Sequence, residues 1–309
     1  MKSGFDEQVA AQARQLMAKP LTHIEAEVAA KRQRWFEQHH AASAPRPRGQ
    51  RPAPRAAFEA LFFEYLGLRA EDVPVVHEDD REIVWLSRNA CPTLEACKQL
   101  GLDTRIVCRQ AYEKSTQVFV SCIDPELRFL RDYHEIRPYA PHCRERILRV
   151  DFEQMMRIAI EEARQSRREG NKGYGALVTL GDRVLARAHD TAVTERDPSL
   201  HAEVNAIRQA VHALGDGNLA GAVLFSSCEP CPMCSSLAVW ANLSAIVFGA
   251  SIEDTAARGK ARILVPAREI VTRSPVMMEV FSGVLGHECL ELCQPQPKPS
   301  YIDSPPAGR

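Results

Sequence analysis

His201-Ala202-Glu203 and, roughly thirty residues further on, Glu229-Pro230-Cys231-Pro232-Met233-Cys234 offer one imidazole, two thiols and a carboxylate within a short stretch of chain. A structural zinc site closes its shell with four protein ligands, whereas a catalytic one stops at three and keeps a position for water. The count here is three, His201, Cys231 and Cys234, and Glu203 stands too near His201 to need to be a ligand itself. Three ligands plus a carboxylate imply Zn2+ that activates water for attack on an electrophilic carbon, with Glu203 moving protons.

Those residues need particular elements beneath them. Cys231 and Cys234, three apart, share one face if a helix starts between them. Pro232 suits a first helical turn, where no N–H is needed. The positive end of that helix favours thiolates. His201 follows the loop 194–200, opens an amphipathic run to about Leu214, and would ligate as neutral imidazole. A lone Cys-x-x-Cys serves equally well as a structural zinc half-site or a redox pair; the upstream His-Ala-Glu favours the catalytic reading. Cys228 lies before the Glu229-Pro230 turn, just after an apolar strand at 222–225, and reads as a buried, inert thiol.

The two motifs, within Asp197-Pro198-Ser199-Leu200-His201-Ala202-Glu203-Val204-Asn205-Ala206-Ile207 and Ser227-Cys228-Glu229-Pro230-Cys231-Pro232-Met233-Cys234, resemble the cytidine deaminase superfamily. Within it they are most similar to the branch of guanine deaminases and tRNA adenosine deaminases. The resemblance covers about 150–295. It implies a three-layer α/β/α cytidine deaminase-like fold with a mixed sheet and hydrolytic release of ammonia from an aminated heterocycle. Metal ligation then falls to His201, Cys231 and Cys234, and proton transfer to Glu203. Asp190, Glu229 and Pro230 become substrate contacts, and backbone N–H groups at 229–231 stabilise the oxyanion. A homodimer is that family's habit.

Two departures bear on the substrate. Where the resembled branch carries an asparagine at the end of the strand before the zinc loop, this chain has Asp190, which as a carboxylate only accepts hydrogen bonds. It would favour a ring presenting N–H or amino groups, unless it is a solvated strand end. In the loop 256–262, Arg262 stands where guanine deaminases place an acid, so guanine does not follow; a basic loop suits an anionic substituent, or simply solvent. Residues 151–309 carry a net charge of roughly −3, no footprint for nucleic acid. A small purine, pterin or related base or nucleoside is therefore favoured over tRNA, and the rival readings are an RNA-editing enzyme, a non-catalytic binding protein, or a bifunctional enzyme with a second activity in residues 58–149.

The chain has 309 residues, a net charge of −1 and ten cysteines. That is room for two domains. No apolar run is long enough for a bilayer, and the start lacks the apolar core of a secretory signal. Thiols needed as zinc ligands point to a reducing compartment, the cytoplasm. Residues 1–57 read as helices over 8–40 and a Pro/Arg-rich linker at 44–55. Residues 58–149 read as an N-terminal, mostly helical α+β domain of unassigned role. Its expected elements are an aromatic helix at 58–66, a strand at 83–87 and helices near 93–100 and 104–114. An apolar run at 117–122 and a close rich in Arg, Tyr and His follow. Its five cysteines, Cys91, Cys97, Cys108, Cys122 and Cys143, show no Cys-x-x-Cys; buried free thiols are expected rather than a second metal. Its Arg, Tyr and His cluster fits either an anion pocket or a salt-bridged face.

The zinc-dependent domain, 150–295, should begin with a helix at 152–169 and a hairpin of strands 175–180 and 183–189 turning at Gly181-Asp182. The helix 201–214, strand 222–225, helix 231–242 and strand 245–249 follow. A short helix, a weaker strand and a helical tail over 277–292 complete it, with both metal helices on one sheet face. Residues 296–309 read as a disordered tail.

Overall fold

The computed structural model describes residues 2–40, 53–260 and 262–293, so most of the Pro/Arg-rich stretch and the expected tail lie outside the described residues. The chain divides into two compact units, 1–150 and 151–309.

The first unit holds a four-stranded antiparallel sheet in the order β1-β2-β4-β3, from β1 (Val75–Glu78), β2 (Glu82–Ser87), β3 (Leu127–Arg131) and β4 (Cys143–Arg149). Helices α1 (Lys2–Ala18) and α2 (Leu21–His39) pack in this unit, on α4 (Pro92–Leu100) and α6 (Lys114–Ile123) respectively. Helix α3 (Pro54–Glu59) continues into a π-helical turn, Ala60–Tyr65, and α5 (Thr104–Cys108) into another, Arg109–Glu113. Phe58, Leu61, Trp85, Phe119, Leu127 and Ile147 form the core between sheet and helices. The expected strand at 83–87 and the first expected helix are present. The apolar run at 117–122 is helical, inside α6, and three further strands make this unit more sheet-like than its composition suggested.

The second unit is built on a five-stranded mixed sheet, β6-β5-β7-β8-β9. Strands β5 (Gly175–Leu180), β6 (Arg183–His189) and β7 (Ala222–Cys228) pair antiparallel; β8 (Ala245–Ala250) and β9 (Glu279–Phe281) add parallel. The hairpin turns at Gly181, whose φ of +62° is one that glycine adopts freely. Alternation along β5 sends Ala176 and Val178 into the cluster shared with helices α8 (Ala202–Leu214) and α9 (Pro232–Trp240). The opposite face is covered by α7 (Phe152–Arg168), with Phe152 edge-on to Phe225 at 5.4 Å, and by α12 (Gly286–Leu292). This is an α/β fold in three layers. Helix α7 starts at Asp151, whose carboxylate accepts from the Gln154 N–H at 2.9 Å.

Two short helices, α10 (Ile252–Ala257) and α11 (Ala267–Thr272), follow β8. The expected helical tail over 277–292 is corrected: it divides into β9 and α12. The sheet gains an edge strand where Val280 pairs with Ile246. No helix among the described residues is long and apolar enough to cross a membrane.

Candidate metal centre and active site

Two helix N-termini supply the three candidate metal-ligating side chains. His201 occupies the position just before α8 and Cys231 the one just before α9, both with extended backbone. Pro232 opens the first turn of α9, and Cys234, three residues after Cys231, lies in that same turn on the face of Cys231. The His201 Nδ1 atom lies 3.6 Å from Cys231 Sγ and 3.5 Å from Cys234 Sγ, and the two sulfurs are 3.6 Å apart. Around a tetrahedral zinc, ordinary Zn–S and Zn–N bond lengths place two sulfurs about 3.8 Å apart and nitrogen and sulfur about 3.6 Å apart. The donor set therefore fits zinc in both chemistry and spacing. Among the described residues this is the one group of three or more His, Cys, Asp or Glu side chains close enough to hold a metal.

The thiols share their protons unequally. Their mutual contact pulls the Cys231 thiol down to about 3 and pushes Cys234 up. His201 is raised, first by its contact with Cys231. Ligation requires both sulfurs deprotonated and the imidazole neutral, so metal uptake releases protons.

Glu203 projects from the first turn of α8 and is 5% exposed. One carboxylate oxygen accepts from Ser226 Oγ on β7 at 3.2 Å, and the other lies 3.6 Å from Cys234 Sγ. Burial raises its pKa. It stands beside the three-donor group without belonging to it.

Asp190 follows β6 directly and is fully buried. Its Oδ1 accepts from the Ala192 N–H at 3.2 Å; Oδ2 makes no hydrogen bond of good geometry among the described residues, with the Lys172 backbone N–H near enough to act on the carboxylate. Burial is the first cause of its raised pKa; Lys172 and His201 lie within electrostatic range and oppose it. The loop from Asp190 to His201 is pinned from two sides. Asn171 Oδ1 accepts from the N–H groups of Val193 and Thr194 at 3.1 and 3.0 Å. Asn205 Nδ2 donates to the His189 carbonyl at 2.9 Å. Neither asparagine stood out in the sequence, because an isolated Asn carries no periodic signal.

Glu229 is committed elsewhere. Its two carboxylate oxygens accept from the N–H groups of Ile252 and Ala267, at 2.8 and 2.9 Å, at the starts of α10 and α11. Helix N-termini favour such a charge. Its own N–H donates to the Ala250 carbonyl at 2.8 Å. Pro230 has no N–H, and its carbonyl accepts from Ser235 Oγ at 3.0 Å. Of the backbone donors expected at this turn, that leaves Cys231. Arg262 reaches the turn from outside, donating to the Glu229 carbonyl at 2.8 Å and approaching Cys228 Sγ at 3.4 Å. It lies over the Tyr174 ring and within electrostatic range of Glu203 and Cys231. The cysteine read as inert, Cys228, is 2% exposed.

Known proteins match the segment that carries this site. The cytidine and deoxycytidylate deaminase zinc-binding region matches residues 150–250. The tRNA-specific adenosine deaminase of Bacillus subtilis is 35% identical over 134 residues, 43% of this chain and 81% of that protein. The guanine deaminase of the same organism is 38% identical over 86 residues, covering 28% of this chain and 55% of the relative. A solved structure from a study of A-to-I editing by tRNA:A34 deaminases is 28% identical, with a TM-score of 0.41 over 45% of this chain and 98% of that one. The chain belongs, through its second unit, to the zinc-dependent cytidine deaminase superfamily. It is a deaminase, a hydrolase of C–N bonds, similar to the guanine and tRNA adenosine deaminases.

Proposed function

We propose that this deaminase releases ammonia from a free aminated heterocycle, a purine, pterin or related base or nucleoside. His201, Cys231 and Cys234 hold the zinc, which when bound brings the pKa of water to about 7 and so supplies a nucleophile at neutral pH. Glu203 takes a proton from the attacking water and returns it to the ring nitrogen and the departing amine. Ser226 orients it, holding one oxygen so that the other faces the reaction. The Cys231 N–H donates to the oxygen on which charge develops.

The observation that carries the substrate assignment is the fully buried Oδ2 of Asp190, which makes no hydrogen bond of good geometry among the described residues. A buried acceptor without a well-placed donor is costly and calls for a ligand that donates. An amino group or ring N–H on an electron-poor heterocycle meets that need.

A second reading, deamination of adenosine in tRNA, is favoured by the extent of the match to the Bacillus tRNA enzyme. The net charge of the second unit opposes it. A screen of aminated purines, pterins and nucleosides, together with tRNA, for ammonia release separates the two. Glu203→Gln serves as control: it should keep its metal and lose turnover by about a hundredfold or more. Retained turnover in that variant refutes the assignment of Glu203. Salt-sensitive tRNA retention on filters with deamination of tRNA alone would replace the small-molecule reading.

A further inference from the structure

Asp190 and His201 belong to different layers of the second unit, so some contact between the layers must set their separation. His201 leads into α8. The Asp190 backbone belongs to the sheet and α7: its N–H donates to the Tyr174 carbonyl at 3.0 Å, and its carbonyl accepts from Ser166 Oγ at 2.9 Å. The loop between them gives little anchorage of its own, because residues 193–196 are exposed. Packing holds the layers together but opposes sliding only weakly. The apolar cluster there draws Ala186 and Ala188 from β6 and Ala202, Ala206 and Ala210 from α8, and side chains this small interdigitate little.

Asn205 supplies a directional lock. It stands on α8 one turn after His201, and its own N–H donates to the His201 carbonyl at 3.0 Å. Its side-chain nitrogen donates to the His189 carbonyl at 2.9 Å and to Thr191 Oγ1 at 3.2 Å, with the Leu200 carbonyl at 3.5 Å. Carbonyls only accept, so the amide nitrogen and not its oxygen must face them. His189 and Thr191 flank Asp190, and Leu200 precedes His201. The Thr191 N–H closes the arrangement by donating to the Leu200 carbonyl at 3.0 Å. One amide therefore grips both neighbours of Asp190 from the helix that His201 opens. Asn171 holds Val193 and Thr194, further along the loop, and Ser166 ties Asp190 to the Gly173 N–H at 3.1 Å. Neither reaches α8.

We infer that Asn205 is a positioning residue, setting the distance between the Asp190 carboxylate and the metal ligand His201. It acts through Asp190, and the inference rests on the reading of Asp190 as a substrate contact. Without the lock the strand end drifts along α8, and a ring bound at the metal no longer meets the carboxylate. The consequence falls on substrate binding first, as the loss of Asp190 itself would.

The test is a double-mutant cycle on the zinc-loaded full chain, with Asn205→Ala, Asp190→Asn and the two combined. Ammonia release is followed on whichever of guanine, adenine, pterin and adenosine the unmodified chain deaminates fastest, with zinc content and melting temperature read on the same samples. Asn205→Ala should raise KM by about tenfold with kcat and zinc content little changed. It should add nothing once Asp190 is replaced, the signature of two residues acting as one. Thr191→Val, which removes only the hydroxyl that Asn205 meets, should also raise KM, and Thr191→Ser should not; this pair decides where Asn205→Ala does not fold. An Asn205→Ala effect that is absent, that adds to that of Asp190→Asn, or that falls on kcat or zinc content alone would overturn the inference and leave Asp190 as a substrate contact. Equal KM in Thr191→Val and Thr191→Ser would count against it in the same way. An Asp190→Asn variant with unchanged KM would instead overturn the reading of Asp190, and the inference with it.

Discussion

Arg262 donates a hydrogen bond to the backbone carbonyl of Glu229 at 2.8 Å, so a side chain from the loop after α10 fixes the turn that presents Cys231. Glu229 in turn fastens that turn to α10 and α11 through its carboxylate. The residue that seemed a departure in the substrate loop therefore acts on the position of the metal helix. Replacing Arg262 with Gln removes a charged donor to a half-buried carbonyl, a loss of about 1.5–3 kcal/mol. The expected result is at least about a tenfold fall in kcat/KM with zinc content unchanged. Steady-state ammonia release and metal analysis of the same samples check it; full activity would show that the contact positions nothing.

Gly175 begins β5 where α7 crosses. A Cβ there would run into the Ala159 carbonyl and the Ala163 N–H, both backbone atoms that cannot swing aside. Gly175→Ala should destabilise the chain by about 1–3 kcal/mol or more, as overpacking does. Gly215, which ends α8 at a φ of +66° with open space around it, should cost only about 1 kcal/mol on the same change, from backbone strain alone. Urea unfolding of the two variants side by side distinguishes a collision from a conformational preference.

The site was legible in the sequence because its signals are local. His-x-Glu and Cys-x-x-Cys each sit at a helix start, and the β5–β6 hairpin emerged with the bounds it has, because its alternation and its Gly-Asp turn lie within fifteen residues. What escaped depends on distant partners. Strands β3 and β4 carry Arg131 and Glu145 on a buried face, where their ion pair and the hydrogen bonds that Trp85 and Ser87 donate to Glu145 make burial tolerable; read singly, such residues look solvated. Strand β9 is three residues long, too short to show a period. The part played by Glu229 could not be read from its motif, since its partners, Ile252 and Ala267, lie 23 and 38 residues away.

His189, the last residue of β6, bridges two carboxylates of α7 and its end, with Nδ1 2.9 Å from Glu162 and Nε2 2.9 Å from Glu169. Burial works against its charge, but the hydrogen bonds to Glu162 and Glu169 prevail and raise its pKa above the ordinary 6.5. A raised folded-state pKa means that this stabilisation is complete below pH 6.5 and is lost as pH rises through the folded value. His189→Asn should therefore lower the melting temperature more at pH 6 than at pH 8. Melting curves of both proteins across that range supply the comparison, and a deficit that is constant or grows with pH would contradict it.

Asp190 is buried with one oxygen lacking a well-placed donor, an arrangement that weakens the fold. Asparagine, the residue the resembled branch carries there, replaces the carboxylate with a neutral amide of the same shape. If Asp190 exists to accept from substrate, Asp190→Asn should leave the fold as stable or more stable, by up to about 1 kcal/mol, because burying a charge costs more than burying an amide. Its kcat/KM should fall by about tenfold or more on a substrate whose amino group or ring N–H the carboxylate meets, mostly through KM. Stability and activity would then move in opposite directions, which a purely structural aspartate cannot produce. Urea unfolding and ammonia-release kinetics on one preparation read both quantities. Joint loss of stability and turnover would return Asp190 to the scaffold and leave the substrate to be recognised elsewhere.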